Sequence, residues 1–311
     1  MNIAVIGAGA MGSLIGGKLA QSKHQVVLVD IWEEHVHRIN EHGLKLISNA
    51  EEEVIEVINV EAVTSPSAIN KKMDLIIVFV KSYHTENAVA NCKSVIDPDT
   101  KVLTLQNGIG NVETLNKLLP KSQILAGTTS HGANIKNPGA VIHAGQGKTY
   151  LGRADEEEIG VQDKKIVEVF NQAGLETEYE ENIMGLIWDK LMVNVGINPL
   201  TALLGIKNGE ILQHEATEEL LEGLVEEAAS VAERKGIKLS LQDPVAHVKS
   251  IAEKTSENRS SMLQDISRGR KTEIDYINGA VVKRGEEETM DIKYNKMATL
   301  LMKARESFLK G

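Results

Sequence analysis

The start of the chain joins a short apolar run to three spaced glycines. Residues 2–6 read NIAVI, and Gly7, Gly9 and Gly12 follow, with the helical pattern MGSLIGGKLAQ starting at Met11. A G-x-G-x-x-G spacing between a strand and a helix is typical of the first turn of a βαβ unit. This feature predicts an α/β fold with an N-terminal Rossmann-like, doubly wound sheet.

The rest of the first half continues to alternate strand and helix. The β-branched runs QVVLVD, LIIVFV and KVLTLQ are separated by helical segments, as expected for parallel strands covered on both faces. Between Val141 and Glu180, the strand-like stretches VIHAG, KTYLG and LETEYE either complete the sheet or begin a linker. We therefore predict a dinucleotide-binding domain over residues 1–180.

The second half changes to helical patterns. A length of 311 residues favours two domains of roughly 100–200 residues each. We predict an all-helical domain over residues 181–311 that carries substrate-binding and catalytic groups and is a candidate for dimerisation. Its helices are predicted over 182–205, 215–235, 243–255, 261–268, 272–284 and 291–309, with Gly236 as a helix stop.

Composition excludes several classes of partner. The net charge is −10 and Lys and Arg form no cluster, which argues against binding to nucleic acid. The longest apolar run, LIIVFV, is far shorter than the ~20 residues that span a bilayer. Cys92 has no cysteine partner, and no leader pattern precedes the first strand, so we expect a cytoplasmic protein. The acidic runs at 51–53 and 156–158 are expected to be solvated.

The glycine turn predicts a pyrophosphate site. The first glycine permits the tight turn, the second lets the ligand approach the backbone, and the third allows close packing of helix and strand. The helix N-terminus then faces the negative phosphates. The alternative is a glycine turn without a ligand. The residues predicted to contact the cofactor are Gly7, Ala8, Gly9, Ala10, Met11 and Gly12.

An acidic residue ends the second predicted strand. Asp30 lies 18 residues after Gly12, where a carboxylate can accept hydrogen bonds from an adenosine ribose and would repel a 2′-phosphate. That favours NADH, although Arg38 and His35 lie near enough in sequence to compensate. The alternative is that Asp30 only caps the next helix.

Two further polar residues follow strands of the same sheet. Lys81 comes just after LIIVFV, and Asn107 follows KVLTLQ within the sequence QNG. Ligands bind at the carboxyl ends of strands in open α/β sheets, so both side chains are candidates for cofactor contact. The amide of Asn107 is also a candidate for contact with substrate. The alternatives are a surface lysine and a simple Asn-Gly turn.

A polar stripe runs along an otherwise apolar helix. In KLMVNVGINPLTALLG the residues Lys190, Asn194 and Asn198 recur every fourth position and therefore share one face. Burial of an unpartnered lysine is costly, so the stripe is expected to meet a cleft rather than a closed core. The alternative is a buried polar network that fixes helix packing. Pro199 should end or kink the helix after Asn198 and release a backbone group for ligand.

Other polar residues have competing interpretations. Ser261 with Gln264 matches a capping box, and Glu273 in a first helical turn after Thr272 is favoured by the helix dipole alone. His131 and His143 have no Cys or His partners at metal-ligand spacing, so they are interpreted as structural or adjacent to the cofactor. No metal site is predicted.

Several motifs together resemble one family. The segments GAGAMG, LQNG, KLMVNVGINPLTAL, NGE and SSMLQDISRGRKTEIDYINGAVV occur in the order found in ketopantoate reductases, over nearly the whole chain. The resemblance implies NAD(P)H-dependent reduction of ketopantoate (2-dehydropantoate) to pantoate, in pantothenate and coenzyme A biosynthesis. It also implies a Rossmann domain followed by a helical domain.

The resemblance implies roles for individual residues. The Lys of K-x-x-x-N-x-x-x-N is the proton donor in that family, and it corresponds to Lys190; the two Asn, which contact substrate, correspond to Asn194 and Asn198. The Asn of QNG, Asn107, touches both cofactor and substrate. The other implied contacts are substrate binding by Asn208 and Ser261, a cofactor-side and active-site role for Glu273, and cofactor contact by Lys81.

The family default implies NADPH, but Asp30 stands where members that select the phosphate often carry an arginine, so NADH remains an expected alternative. Other functions also stay open: reduction of a different 2-keto acid, or a dinucleotide sensor without catalysis. Pairing of helical domains leads us to expect a homodimer.

Overall fold

The computed structural model describes residues 1–48, 55–155 and 158–309, and within them the chain separates into two units. Unit 1 comprises Met1–Gln106 and Asn111–Ile183, and unit 2 comprises Asn107–Gly110 and Met184–Gly311. Of the acidic runs expected to be solvated, residues 51–53 and 156–157 lie outside the described part of the chain. The predicted class, an α/β N-terminal part followed by helices, is confirmed.

Every strand in the described residues belongs to unit 1. In the described parts of unit 1 they form an eight-stranded sheet, in the order β12-β11-β8-β7-β6-β1-β2-β5, and a four-stranded sheet, in the order β4-β3-β10-β9. The stretches KTYLG and LETEYE therefore complete the main sheet. The bounds are β1 (Asn2–Ile6), β2 (Gln25–Val29), β3 (Leu44–Ser48), β4 (Ile55–Ile58), β5 (Glu61–Val63), β6 (Leu75–Val78), β7 (Lys101–Thr104), β8 (Ile124–Thr129), β9 (Gly132–Asn137), β10 (Ala140–Gly145), β11 (Thr149–Arg153) and β12 (Thr177–Tyr179).

The main sheet reverses its strand order between β1 and β6. Strand β1 pairs in parallel with β2 on one side and with β6 on the other. The chain leaves β1 toward β2 and later returns to the opposite side, so the carboxyl ends of β1 and β6 flank a topological switch point. Such points are where open α/β sheets bind ligands.

The smaller sheet was not predicted from the sequence. Helix α1 (Ala10–Gln21) is buried on nearly every side because it contacts both sheets. A Cβ added to Gly16 would overlap Leu28 of the main sheet, and one added to Gly17 would lie 2.9 Å from Leu44 of the smaller sheet. The Gly-Gly pair therefore lets both sheets approach the helix closely. The other helices of unit 1 are α2 (Glu33–His42), α3 (Thr85–Ala90), α4 (Asn111–Asn116) and α5 (Val161–Gln172).

Unit 2 is helical in its described residues. Five of the six predicted helices are confirmed to within about two residues at either end, a margin typical of helix assignment. Gly236, at φ +70°, follows a helix as predicted. The predicted helix 272–284 is wrong in part. Residues Ile274–Tyr276 form a 3₁₀ turn, and the α-helix begins only at Asn278. The helices are α6 (Ile183–Leu204), α7 (Glu215–Arg234), α8 (Pro244–Lys254), α9 (Ser261–Ser267), α10 (Asn278–Glu287) and α11 (Lys293–Ser307).

Helix α6 lies at the centre of the unit 2 core. A Cβ on Gly196 would lie 2.9 Å from Val225 of α7 and 3.0 Å from Val248 of α8, so three helices meet at this glycine. A helix that is apolar all round is expected to be buried in this way. No helix in the described residues is long and apolar enough to span a membrane.

Pro199 does not end α6, so of the two expectations, an end or a kink of the helix, the first is wrong. The helix continues to Leu204 with Pro199 inside it. Proline cannot donate a hydrogen bond to the carbonyl four residues earlier, which belongs to Val195. The side-chain amide of Asn278 donates to that carbonyl instead, at 3.1 Å. The released backbone group is therefore bonded within unit 2.

Candidate cofactor and catalytic sites

The glycine turn of unit 1 has no room for side chains at two of its glycines. Gly7 has φ +96°, and a Cβ there would lie 2.6 Å from the backbone nitrogen of Val80 after β6. A Cβ on Gly12 would overlap the carbonyl of Gly7. Gly7 also donates its N–H to the Val29 carbonyl at 2.8 Å, which ties the turn to β2. The turn is thus held at the switch point.

Gly9 differs from the other two glycines because its missing side chain leaves open space. No heavy atom lies within 4 Å of a Cβ built there, and no side chain caps the N-terminus of α1. The first N–H groups of a helix need partners from outside it, and a pyrophosphate is a suitable one. This cradle fits a dinucleotide.

Asp30 lies directly after β2, and its backbone continues the ladder to β5. Its Oδ1 accepts a hydrogen bond from the N–H of Trp32 at 2.9 Å. The N-cap position of α2 is Trp32, so the alternative that Asp30 caps this helix is wrong. His35 is fully buried, which excludes it as a ligand for a 2′-phosphate and corrects the suggestion that it compensates for Asp30.

The ends of β6 and β7 are joined by a glutamine that the sequence analysis did not select. The amide nitrogen of Gln106 donates to the Val80 carbonyl at 2.7 Å and to Thr85 Oγ1 at 2.8 Å. Lys81, the next residue after Val80, is half-buried at the start of a 3₁₀ turn, Ser82–His84. Gln106 therefore positions the segment that carries Lys81.

The polar stripe of α6 lies in unit 2 as the spacing predicts. The Asn198 amide donates to Asn194 Oδ1 at 3.4 Å across one turn, so the two amides lie on one face. Asn198 is buried, whereas Lys190 and Asn194 are half-buried. The stripe is thus neither sealed in the core nor fully solvated.

Lys190 lies in a setting that weakens its hold on a proton. Burial lowers the pKa of Lys190 to about 8, and the charge of Glu273 acts in the opposite direction. Glu273 is itself buried and its charge acts on Lys190, so a carboxylate and an amine interact in a poorly solvated part of unit 2. An amine whose pKa lies near neutral pH can act as a general acid.

The segment Asn107–Gly110 belongs to unit 2 although it follows β7. The N–H of Ile109 donates to the Tyr276 carbonyl at 2.9 Å, and Tyr276 in turn donates its N–H to the Glu273 carbonyl. Gly108 has φ +79°, and a Cβ there would overlap the Tyr276 carbonyl, so glycine is required for this contact. Asn107 is therefore carried to the turn that begins at Glu273, and QNG is more than a simple turn.

Asn208 and Ser261 have different surroundings. Asn208 is buried, and its amide donates to Thr255 Oγ1 at 2.9 Å. The Asn208 Oδ1 atom is buried without a hydrogen-bond partner among the described residues. The capping box predicted from Ser261 is wrong, because Ser260 caps α9 by accepting from the Leu263 N–H at 3.1 Å. Ser261 is left exposed on the first turn.

The two histidines that the sequence analysis left undecided contact each other. His131 Nδ1 lies 3.2 Å from His143 Nε2, and the N–H of Gly147 also donates to His131 Nδ1. Burial lowers the pKa of both rings. The pair links the segment between β8 and β9 to strand β10, and whether it also lies beside the cofactor stays a prediction. In the described residues, no group of three or more His, Cys, Asp or Glu is placed to hold a metal ion.

The family resemblance seen in the sequence is confirmed by comparison with known proteins. Residues 3–156 match the family described as "Ketopantoate reductase PanE/ApbA", and residues 182–306 match its C-terminal counterpart. A 2-dehydropantoate 2-reductase from Pyrococcus horikoshii is 39% identical over 313 residues, covering 99% of this chain and 98% of the relative.

Solved structures agree with this assignment. A PanE/ApbA family ketopantoate reductase from Ralstonia eutropha superposes with a TM-score of 0.90 at 31% identity, over 99% of each chain. The ternary structure of D-mandelate dehydrogenase with NADH and anilino(oxo)acetate superposes with a TM-score of 0.91 at 34% identity, also over 99% of each chain. Matches at this identity over both parts of the chain show more than a common fold. The chain is therefore a member of the ketopantoate reductase family of oxidoreductases.

Proposed function

We propose that this protein is a 2-dehydropantoate 2-reductase that converts ketopantoate to pantoate. The observation that carries the proposal is Lys190, whose pKa is lowered to about 8 beside the buried carboxylate of Glu273, on the same helix face as Asn194 and Asn198. This is an acid with two amides beside it, and a 2-keto acid needs a proton donor and hydrogen-bond donors for its carboxylate and carbonyl oxygens.

The reaction divides between the two units. In unit 1 the open cradle at Gly9 and the uncapped start of α1 would hold the pyrophosphate, Asp30 would face the adenosine ribose, and Lys81 would contact the cofactor. When bound, a reduced nicotinamide supplies the hydride that adds to the C2 carbonyl carbon. The remaining requirement, one proton at the C2 oxygen, is met by unit 2.

Lys190 meets that requirement as an ammonium. Its charge polarises the carbonyl and stabilises the developing alkoxide, and its proton then moves to the oxygen. Burial favours release of the proton because the neutral amine needs less solvation. The charge of Glu273 limits this effect, so that Lys190 stays mostly protonated at pH 7 with a pKa of about 8.

The other polar groups of unit 2 are proposed to hold the substrate. Asn194 and Asn198 present amides along the helix beside Lys190, and Asn107 is carried to the Glu273 turn by the Gly108 contact. Asn208 brings a buried oxygen without a partner among the described residues, as an acceptor for the substrate hydroxyl would require. Ser261 is exposed at the start of α9, and its hydroxyl would donate to the substrate carboxylate.

The choice between NADPH and NADH is a separate proposal. The family default is NADPH, but the carboxylate of Asp30 disfavours a 2′-phosphate and His35 is buried. The D-mandelate dehydrogenase that superposes on this chain binds NADH. We propose that the protein accepts NADH, with efficiency at least comparable to that with NADPH.

The test is the loss of reduced-nicotinamide absorbance with purified protein and ketopantoate, with NADH and NADPH assayed in parallel. Turnover with either cofactor supports the reaction, and the ratio of the two kcat/KM values tests Asp30. The matched variant is Asp30→Asn, which should improve the use of NADPH relative to NADH. An unchanged ratio in Asp30→Asn would remove Asp30 from cofactor choice.

The second candidate is reduction of another 2-keto acid with NADH. It is favoured by the similarity to D-mandelate dehydrogenase, at 34% identity. A substrate series that includes ketopantoate and phenylglyoxylate, an aromatic 2-keto acid, distinguishes the two. A higher kcat/KM for phenylglyoxylate would replace the first proposal while leaving the role of Lys190 in place.

We also propose that two copies of the chain associate through α11. Met297, Leu300 and Leu301 are 48–59% exposed and lie on one face of this helix, since their spacing is i, i+3 and i+4. Light scattering should give the mass of a dimer, and Leu301→Glu should reduce it to that of a monomer. A monomer mass before mutation would contradict the proposal.

Two further expectations stay predictions. One assigns residues 1–180 to the cofactor and residues 181–311 to the substrate, and the other is a cytoplasmic location.

A further inference from the structure

A histidine of unit 1 is buried without a part in the chemistry described so far. His35 is 0% exposed, although its neighbours Glu34 and His37 on α2 are exposed. Buried polar side chains need hydrogen-bond partners, and His35 has one at each ring nitrogen. Gly139 donates its N–H to Nδ1 at 3.0 Å, and Ser13 Oγ lies 3.1 Å from Nε2.

The direction of these bonds follows from their donors. A backbone N–H can only donate, so Nδ1 of His35 carries no proton and Nε2 carries it. The hydroxyl of Ser13 donates to the Ala8 carbonyl at 2.8 Å and therefore accepts from Nε2. The result is a relay from Gly139, through His35 and Ser13, to Ala8. Burial lowers the pKa of His35 against smaller opposing effects of Asp30 and the Ala8 carbonyl, in keeping with a neutral ring.

The relay ends on the peptide that precedes Gly9. The carbonyl of Ala8 and the N–H of Gly9 belong to one planar trans peptide, so they point in opposite directions. A hydrogen bond that holds the carbonyl of Ala8 therefore sets the direction of the N–H of Gly9. Gly9 is the exposed glycine whose surroundings are open, where the phosphates of a dinucleotide would approach.

An aromatic side chain also holds the imidazole ring of His35. Trp32 stacks on His35 with ring centroids 5.1 Å apart and planes 13° from parallel. The backbone N–H of Trp32 is held by Asp30 Oδ1 at 2.9 Å. The imidazole thus lies between the segment that would face the ribose and the turn that would face the pyrophosphate.

We propose that His35 is a positioning residue for the dinucleotide, which orients the Gly9 N–H through Ser13 and Ala8. The inference rests on the dinucleotide part of the proposed function and not on which keto acid is reduced. Because the pyrophosphate is common to both cofactors, NADH and NADPH should depend on His35 to the same extent.

The experiment uses two variants that each keep one half of the relay. The side-chain amide nitrogen of His35→Gln reaches the place of Nε2 and keeps the bond to Ser13. The side-chain oxygen of His35→Asn reaches the place of Nδ1 and keeps the bond from Gly139. Dissociation constants for NADH and NADPH are measured by calorimetry on the full chain, and the Tm of each variant reports on folding.

We expect His35→Gln to keep the affinity for both dinucleotides and His35→Asn to lose part of it. The Kd of His35→Gln should stay within about twofold of the parent, while that of His35→Asn should rise about fivefold to tenfold, as for one lost hydrogen bond. Ser13→Ala should match His35→Asn, and the two changes together should add little. At saturating cofactor, kcat should not change.

Three results would overturn the proposal. If His35→Asn and Ser13→Ala bind the dinucleotides like the parent while their Tm falls, His35 only stabilises the fold. If His35→Gln binds more weakly than His35→Asn, the bond from Gly139 matters and the relay to Ala8 does not. Failure of the parent to bind either dinucleotide would remove the cofactor proposal as well, whereas binding without turnover of ketopantoate would remove only the proposed substrate.

Discussion

The glycine turn of unit 1 and the polar stripe of unit 2 are built in opposite ways. The turn depends on the absence of side chains, because atoms at Gly7 and Gly12 would occupy space taken by neighbouring backbone. The stripe depends on the presence of polar side chains on a helix that is otherwise packed in a core. Added atoms should therefore damage the first site, whereas removed atoms should damage the second.

The largest expected effect is the loss of the proposed acid. Lys190→Ala should lower kcat by about 10²–10⁴-fold, as for removal of a general acid, and leave dinucleotide binding within about twofold. Steady-state kinetics and calorimetry measure the two quantities. Lys293→Ala, at a highly exposed lysine of unit 2, is the control and should be neutral. A kcat for Lys190→Ala equal to that of the parent would show that another group donates the proton.

The next effect distinguishes two glycines of one turn. Gly9→Ala should fold normally, because no atom lies within 4 Å of its Cβ, but should weaken dinucleotide binding at least about tenfold by filling the cradle. Gly7→Ala should lose affinity and also stability, by roughly 1–3 kcal/mol, because of its φ and the nearby Val80 backbone. Calorimetry and thermal unfolding test both. Equal affinities for Gly9→Ala and the parent would move the pyrophosphate away from this turn.

A smaller effect concerns the pH dependence of reduction. Lys190 must be protonated to act, so kcat/KM should fall as the pH rises through about 8. Glu273→Gln removes the charge that raises this pKa, and the fall should then occur at a lower pH. Glu257→Gln, at an exposed carboxylate, is the control and should leave the profile unchanged. A profile that moves to higher pH in Glu273→Gln would contradict the proposed electrostatics.

The smallest expected effect concerns the backbone of α6, the helix that carries the stripe. Asn278→Ala should destabilise the protein by about 1–3 kcal/mol, because it leaves the Val195 carbonyl without its donor. In a Pro199→Ala background the new N–H can donate to that carbonyl, so the same change should cost about 1 kcal/mol less. Urea unfolding of the four proteins gives the coupling. Additive effects would show that Asn278 does not replace the bond that proline removes. Pro244→Ala, made alone and together with Asn278→Ala, is the control.

Much of each site was predictable because its pattern is local. The G-x-G-x-x-G turn occupies six consecutive residues between a strand and a helix. The i, i+4, i+8 spacing of Lys190, Asn194 and Asn198 sets one helix face whatever surrounds it. The alternation of the first half likewise predicted a parallel sheet, and its break predicted a helical second part.

The errors and omissions concern contacts between distant parts of the chain. The sequence around Ser261 matched a capping box, yet Ser260 takes the cap and also accepts from Thr201 Oγ1 at 2.7 Å. The Nδ1 atom of His35 accepts its hydrogen bond from Gly139, a hundred and four positions away. No local spacing encodes such partners, because they depend on how a hairpin or a helix packs on another element.

The order of residues along the chain was enough to predict the glycine turn between β1 and α1, the polar face of α6 and the two classes of structure. Those features depend on the backbone φ angles that glycine permits, on helical periodicity and on strand patterns, all of which act over a few residues. Packing decided that Val195 receives a bond from Asn278, that Asn107 joins the Glu273 turn and that the pKa of Lys190 is lowered. Each of those results requires groups far apart in sequence to meet in a poorly solvated interior, where bonds and charges have their largest effect.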